Sequence, residues 1–223
     1  MSNSPWSNES AGSKNSGGSR TRPGRLIEII TVVLLAVATV GSAWSAYQVS
    51  KWNGVETDEA RASAVLRIES SREYALATQK VSYDAATVAQ YASAAAGGNQ
   101  DLQDFLRATL VRPGFVPIFE SWEAQLAAGQ TPTNLLADEE YLGEIFAASD
   151  ALDAEAGQAS LRGEEAGANA DDYIQLTLFF ASALFFAGIT ASFNNRLPRI
   201  VLLLASATIL AFAGALMGGY PIA

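Results

Sequence analysis

The chain contains neither cysteine nor histidine among its 223 residues. Without cysteine there are no disulfides, no thiolate nucleophiles and no Cys/His zinc sites. Without histidine, the side chain that most often serves as a general base near neutral pH is missing. The sequence also lacks the motifs of serine hydrolases, phosphate-binding loops and dinucleotide-binding folds. It therefore predicts a protein that is not an enzyme and that needs no cofactor and no metal ion.

Charge is almost absent from three long apolar runs, which cover residues 26–48, 173–193 and 200–218. The first run carries one charge, that of Glu28, and the other two carry none. A helix of about 18 or more apolar residues, rising about 1.5 Å per residue, is long enough to cross the hydrocarbon of a bilayer. We interpret the runs as transmembrane helices of an all-α integral membrane protein, with a buried core helix as the alternative for any single run.

The distribution of basic residues predicts the orientation in the membrane. Residues 1–25 are rich in serine, asparagine and glycine, which predicts a disordered tail, and they include four basic residues and one acid. A basic segment before an apolar run is typical of the cytoplasmic side, so we predict a multi-pass plasma (inner) membrane protein with a cytoplasmic N-terminus. A cleaved signal peptide is the alternative. Trp44, Tyr47 and Trp52 favour a retained helix, because such aromatics are typical of the membrane interface.

This orientation assigns a side of the membrane to the remaining segments. Residues 194–199 form a cytoplasmic turn between the second and third runs, where Arg196 and Arg199 follow the same charge rule. Residues 49–172 are then an extracytoplasmic domain, and residues 219–223 form a short C-terminal tail.

The predicted extracytoplasmic domain is acidic and helical. Residues 49–172 contain eight basic and 21 acidic residues, a net charge of −13. Such a surface repels nucleic acid and anionic headgroups. Abundant alanine and few helix breakers predict two long arms, over residues 55–96 and from about residue 138, with shorter helices between them. We expect the arms to form an elongated antiparallel pair resembling a coiled coil.

The second arm carries a seam at heptad spacing. Its two rows are Leu142, Ser149, Ala156, Gly163 and Ala170, and Ile145, Leu152, Ala159, Ala166 and Tyr173. Small residues allow two helix backbones to approach closely, so Gly163 and Gly167 are candidate packing residues. The alternative is that Gly157, Gly163 and Gly167 break the helix, because each costs about 1 kcal/mol relative to alanine.

Two candidate sites lie in the apolar runs. Glu28 is the one ionisable residue there, and intramembrane carboxylates are candidates for ion pathways. It lies near Arg25 at interfacial depth, however, which favours an anchoring or packing role. Gly214 and Gly218 have the spacing of a small-residue motif for helix packing in lipid.

The extracytoplasmic domain contains one aromatic candidate and one acidic cluster. Phe115, Phe119 and Trp122 share a helical face, which predicts packing between the arms or, if that face is exposed, a docking patch. Acidic residues begin the second arm at residues 138–140. Their favourable interaction with the helix dipole explains them without a bound divalent cation.

The runs RPGFVPIFESW, at residues 112–122, and YIQLTLFFASALFFAGI, at residues 173–189, carry a resemblance to known proteins. With the layout of the chain, they resemble small uncharacterised bacterial membrane proteins of the domain-of-unknown-function type. Those proteins have one span, a helical ectodomain and a two-span C-terminal hairpin. The resemblance supports the topology and implies no activity.

These observations together predict a non-enzymatic membrane protein whose helical ectodomain mediates assembly or partner recognition, as a scaffold, an accessory protein or a sensor-like subunit. Its expected partners are membrane lipid and either another membrane protein or a second copy of the chain, and not nucleic acid. The alternative is a subunit of a transporter or channel.

Overall fold

A computed structural model of the protein describes residues 22–223, with side chains from Arg25 onward. Within that range the chain forms five α-helices and three short 3-10 turns, with no strand. The helices are α1 (Arg22–Ala96), α2 (Gln100–Leu110), α3 (Val116–Ala127), α4 (Glu139–Ile189) and α5 (Arg196–Met217). The predicted all-α class is confirmed, and α1, α4 and α5 are long and apolar enough to cross a membrane.

The two longest helices extend further than the sequence predicts or continue through positions where it allows a break. α1 contains 75 residues and begins at Arg22, so it includes residues 22–25 of the predicted disordered tail. Residues 1–21 of that tail lie outside the described residues. α4 contains 51 residues and continues through Gly157, Gly163 and Gly167, so the prediction of an unbroken second arm is confirmed. Packing along one face of a helix outweighs the small propensity cost of isolated glycines.

The connection before α5 lies four residues earlier than the turn predicted over residues 194–199, because α4 ends at Ile189 and α5 begins at Arg196. A 3-10 turn at Thr190–Ser192 follows α4, and α5 begins at Arg196. Pro198 is tolerated there because the first N–H groups of a helix have no intrahelical partner to lose. Residues 196–199 therefore form the first turn of α5, where Arg199 Nε donates to the Thr190 carbonyl at 3.1 Å.

The chain divides into two compact units. The first, which we call the apolar unit, contains the described residues 22–48 together with residues 172–222. The second, which we call the acidic unit, contains residues 49–171. Both α1 and α4 contribute to each unit, whereas α2 and α3 belong to the acidic unit and α5 belongs to the apolar unit.

In the apolar unit, α4 and α5 form a hairpin on which α1 packs. Ser206 Oγ donates to the Ala183 carbonyl at 2.9 Å and joins α5 to α4. α1 approaches α4 closely at Gly41, where an added Cβ would lie 2.5 Å from the ring of Phe180. The outward surface of α1 stays apolar and exposed at Leu26, Ile29, Ile30, Val32, Val33, Val37 and Val40.

In the acidic unit, α1 and α4 lie side by side in antiparallel order. Ser70 Oγ donates to the Ser149 carbonyl at 3.0 Å, and Arg162 pairs with Glu59 at 3.0 Å. Residues later in α4 thus contact residues earlier in α1, which is the pattern of an antiparallel pair. The buried face of α4 contains most of the predicted seam, namely Ser149, Ala156, Ala159, Gly163, Ala166 and Ala170.

One end of this helix pair is closed by α2 and α3, which together with the adjoining ends of α1 and α4 we call the cap (residues 81–146). Gly98 follows α1 with φ of +64°, and Asn99 N then donates back to the Ala94 carbonyl at 3.0 Å. Gly129 follows α3 with φ of +71°. Glycine is favoured at both positions because this backbone conformation is costly for other residues. The two reversals fold the short helices onto the pair.

Candidate partner-binding site

Aromatic side chains fill the centre of the cap. Phe115 and Phe119 are fully buried there. The ring centroid of Tyr91 lies 5.0 Å from that of Phe119, and the centroid of Tyr141 lies 5.5 Å from that of Phe115. Trp122 is half-buried at the edge of the cluster, 6.4 Å from Phe119. Of the three aromatic residues predicted to share a face, the structure therefore places Phe115 and Phe119 in the core, whereas Trp122 reaches the surface.

A buried carboxylate lies beside these rings. Asp84 of α1 is completely buried and binds two partners. Arg112 donates to Asp84 Oδ1 from Nε at 2.9 Å and to Oδ2 from Nη2, and Tyr141 donates to Oδ2 at 2.8 Å. Burial, and then the hydrogen bond to Asp84, raise the pKa of Tyr141, so its hydroxyl remains a donor. The contact connects α1, the α2–α3 connection and α4 at one point.

An open groove, which we call the cap groove, lies between α2 and α3. Its volume is about 540 Å³. The lining residues combine one aromatic ring, small apolar side chains and polar side chains from both helices: Tyr91, Gln103, Arg107, Glu120, Glu123, Ala124, Leu126 and Ala127. Alanines at positions 124 and 127 leave one wall low, because they carry no side chain beyond Cβ.

The polar side of the cap groove is an ordered network. Tyr91 donates a hydrogen bond to Glu123 Oε1. Arg107 pairs with Glu123 at 2.9 Å and with Glu120 at 3.2 Å. The side chain of Glu123 is 19 % exposed, whereas that of Glu120 is 57 % exposed. Burial and the hydrogen bond to Glu123 raise the pKa of Tyr91 to about 12, so Tyr91 donates at neutral pH and Glu123 accepts.

Gly163 and Gly167 both face α1 within the acidic unit. A Cβ added to Gly163 would lie 3.5 Å from Glu59 Cβ, an ordinary contact distance. A Cβ added to Gly167 would lie 3.2 Å from the Glu56 carboxyl carbon, at the end of a flexible side chain. The structure places both glycines at the contact between α1 and α4. At position 163 the two helices are far enough apart for a larger residue such as alanine.

The candidates in the apolar unit lie on its surface. Among the described residues, no other segment comes within 4 Å of a Cβ added to Gly214, and a Cβ at Gly218 meets the Ala215 and Gly214 carbonyl oxygens at the end of its own helix. Gly214 lines an apolar groove of about 520 Å³ to which α1, α4 and α5 all contribute. Glu28 is exposed on α1 and forms no ion pair with another described residue. The structure therefore places Glu28 and Gly214 at exposed positions of the apolar unit.

Sequence reasoning missed Asp84, Arg112 and Tyr141. One signal was present, because Asp84 lies seven residues from both Ala77 and Tyr91, on the buried row of α1. A carboxylate in such a row needs a buried partner. The partners could not be identified from spacing, since Arg112 and Tyr141 are 28 and 57 residues away.

No family model, curated protein or solved structure matches this chain. The resemblance to bacterial membrane proteins of the domain-of-unknown-function type stays a prediction from residues 112–122 and 173–189.

Proposed function

We propose that this chain is a non-enzymatic membrane protein whose acidic unit recognises a partner protein through the cap. The observation that supports this proposal is the shape of the cap groove. A site for a small substrate encloses most of the ligand surface, whereas the cap groove is largely open to solvent. An open groove between two short helices fits a polypeptide segment.

The support beneath the cap groove is consistent with recognition. The rings of Phe119 and Trp122 pack edge-to-face with that of Tyr91, and Glu123 accepts a hydrogen bond from its hydroxyl. Asp84 and Arg112 fix the start of the α3 segment to α1. A surface whose side chains are already ordered loses less conformational entropy on binding. The cap is therefore suited to bind without rearrangement.

The apolar unit is proposed to be the membrane anchor. α1 exposes Val32, Val33, Val37 and Val40 over successive turns, an arrangement that water disfavours and hydrocarbon accommodates. The positive charges of Arg196 and Arg199, and of the basic residues before α1, support a cytoplasmic position for the start of α5. In this orientation the acidic unit is extracytoplasmic.

The alternative, a transporter or channel subunit, receives less support from the position of Glu28. Ionisable residues on ion pathways face a bundle interior or a water-filled cavity, whereas Glu28 is exposed on α1. Proton or ion flux in proteoliposomes tests this alternative directly. Flux that is lost in Glu28→Gln, with unchanged oligomeric state, would favour the transporter or channel function.

The absence of native cysteine makes the orientation easy to measure. Single-cysteine variants Glu140→Cys and Arg196→Cys are treated in intact cells with a membrane-impermeant maleimide. We expect labelling of position 140 alone, and labelling of both after the membrane is permeabilised. Labelling of position 196 alone in intact cells would show the inverted orientation.

Recognition is tested in living cells with a photo-crosslinking amino acid at Ala127, in the cap groove. The matched control carries the same amino acid at Ala75, which is exposed on α1 of the acidic unit. We expect a discrete protein adduct from position 127 and none from position 75. The mass of the adduct distinguishes a second copy of the chain from another protein. Adducts from neither position, or equally from both, would contradict recognition through the cap.

A further inference from the structure

We infer that the cap groove binds a basic polypeptide segment of a different protein, with an arginine or lysine of that segment paired to Glu120. This inference rests on the proposed function and specifies the chemistry of the partner. Three observations support it. Glu120 has fewer partners than Glu123, the surrounding domain is acidic, and one wall of the groove is formed by alanine side chains.

Glu120 accepts fewer hydrogen bonds and ion pairs than Glu123, so more of its acceptor positions are open to a ligand. Glu123 is mostly buried and already accepts from Tyr91 and Arg107. Glu120 is more than half exposed, and its ion pair with Arg107, the one it forms with a described residue, uses only Oε1. A carboxylate has about four acceptor positions, so Glu120 can bind an incoming cation without losing Arg107. A guanidinium is well matched to this group because it can form two parallel hydrogen bonds.

The surrounding charge selects for a basic partner. The groove contributes two carboxylates and one guanidinium, and the domain around it has a net charge of −13 over residues 49–172. An acidic segment would meet Arg107 but would be repelled by this field, whereas a basic segment is attracted and steered. The same field disfavours pairing between the acidic units of two copies. The occupant is therefore a different protein.

The apolar wall accommodates the rest of the segment. Ala124 and Ala127 are exposed on one face of α3, three residues apart. Arginine and lysine cover apolar surface with their methylene stems while the charged end reaches a polar partner. A basic side chain that lies along these alanines ends close to the carboxylates of α3. The groove thus offers an apolar surface for the methylene stem of a basic side chain and a carboxylate for its charged end.

The test uses the full chain in nanodiscs of zwitterionic lipid and a fluorescent helical peptide of alanine and arginine, with arginines four residues apart. A peptide with glutamate in place of arginine is the charge control. We expect the arginine peptide to bind and the glutamate peptide not to bind, as measured by fluorescence anisotropy. Absence of binding by the arginine peptide would overturn the inference.

Two variants distinguish binding in the cap groove from attraction by the overall negative charge of the domain. Glu120→Lys should weaken binding of the arginine peptide about tenfold or more, because it removes and reverses a contact charge. Glu165→Lys changes the net charge equally at an exposed position of α4 and should weaken binding far less. Equal losses in the two variants would show binding to the bulk field and overturn the inference. Circular dichroism checks that both variants remain folded.

A third variant leaves the charge unchanged. Ala124→Trp fills the groove and should abolish binding, and undiminished binding by this folded variant would overturn the inference. Failure of the inference is distinguishable from failure of the proposed function. If crosslinking at Ala127 yields a partner while the arginine peptide does not bind, recognition stands and the basic chemistry is wrong. If crosslinking also fails, the proposed function fails with it.

Discussion

The hydroxyl of Tyr141 on α4 donates a 2.8 Å hydrogen bond to the carboxylate of Asp84 on α1, although 57 residues separate them along the chain. Arg112 completes the charge balance from the connection between α2 and α3. The carboxylate is fully buried, so each partner replaces water that the folded protein excludes. This contact joins the two long helices and the connection between α2 and α3 at one buried point.

We predict that Asp84→Ala lowers the free energy of unfolding by about 3 kcal/mol, because it leaves the Arg112 guanidinium and the Tyr141 hydroxyl without their buried acceptor. Chemical unfolding followed by far-UV circular dichroism measures the change. Asp58→Ala is the control, since it removes an ion pair to Arg61 in which both side chains are largely exposed. A loss in Asp84→Ala no larger than in the control would contradict a structural role for the buried contact.

Gly41→Ala tests the close approach of α1 and α4 in the apolar unit. The added Cβ would lie 2.5 Å from the buried ring of Phe180, so we expect a destabilisation of about 1–3 kcal/mol from overpacking. Thermal unfolding in detergent measures it, and the smaller side chain of the double variant with Phe180→Leu should restore part of the loss. Gly188→Ala, where nothing lies within 4 Å, should not destabilise. Equal behaviour of the two alanine variants would refute the close approach.

Gly163→Ala should stabilise the protein, although Gly163 is buried at the helix contact. Its new methyl group would make ordinary contacts, the nearest at 3.5 Å, while alanine gains about 1 kcal/mol of helix propensity. Gly143→Ala, at an exposed position of the same helix, should gain a similar amount. Equilibrium unfolding of both variants provides the comparison. A loss of stability confined to Gly163→Ala would mean that the helices require glycine there.

Alkaline pH should weaken the cap through Tyr91. Folding raises the pKa of this tyrosine from about 10 to about 12, through burial and the hydrogen bond to Glu123, so folding favours the protonated hydroxyl. Its contribution is complete below about pH 10 and is lost progressively as the pH rises towards about 12. We expect Tyr91→Phe to show a shallower decline of unfolding free energy over this interval than the unchanged protein. Tyr83→Phe, which removes a hydroxyl at an exposed position of α1, is the matched control. An unchanged slope in Tyr91→Phe would show that this hydroxyl is not coupled to folding.

The helices and their lengths follow from the sequence because their causes are local. Alanine-rich segments with few helix breakers predicted the arms, and the first arm ends at Ala96 as predicted. The heptad seam predicted the buried face of α4, including Ser149 and Ala156, since side chains on one helical face are determined by spacing alone. The start of α5 differed by four residues, because proline is compatible with the first turn of a helix as well as with a loop.

Only the tertiary structure decided which residues meet across the chain. Gly41 and Gly214 both lie in apolar runs, yet an added Cβ would collide with Phe180 at position 41, whereas at position 214 it would meet no other described segment within 4 Å. The partners of Asp84 and the groove between α2 and α3 depend likewise on the angle and register at which separate helices pack. Spacing within one helix cannot specify these quantities, because they result from many weak contacts made at once between distant segments. The sequence by itself determined an all-helical chain with three apolar helices, and packing decided where its buried carboxylate and the cap groove lie.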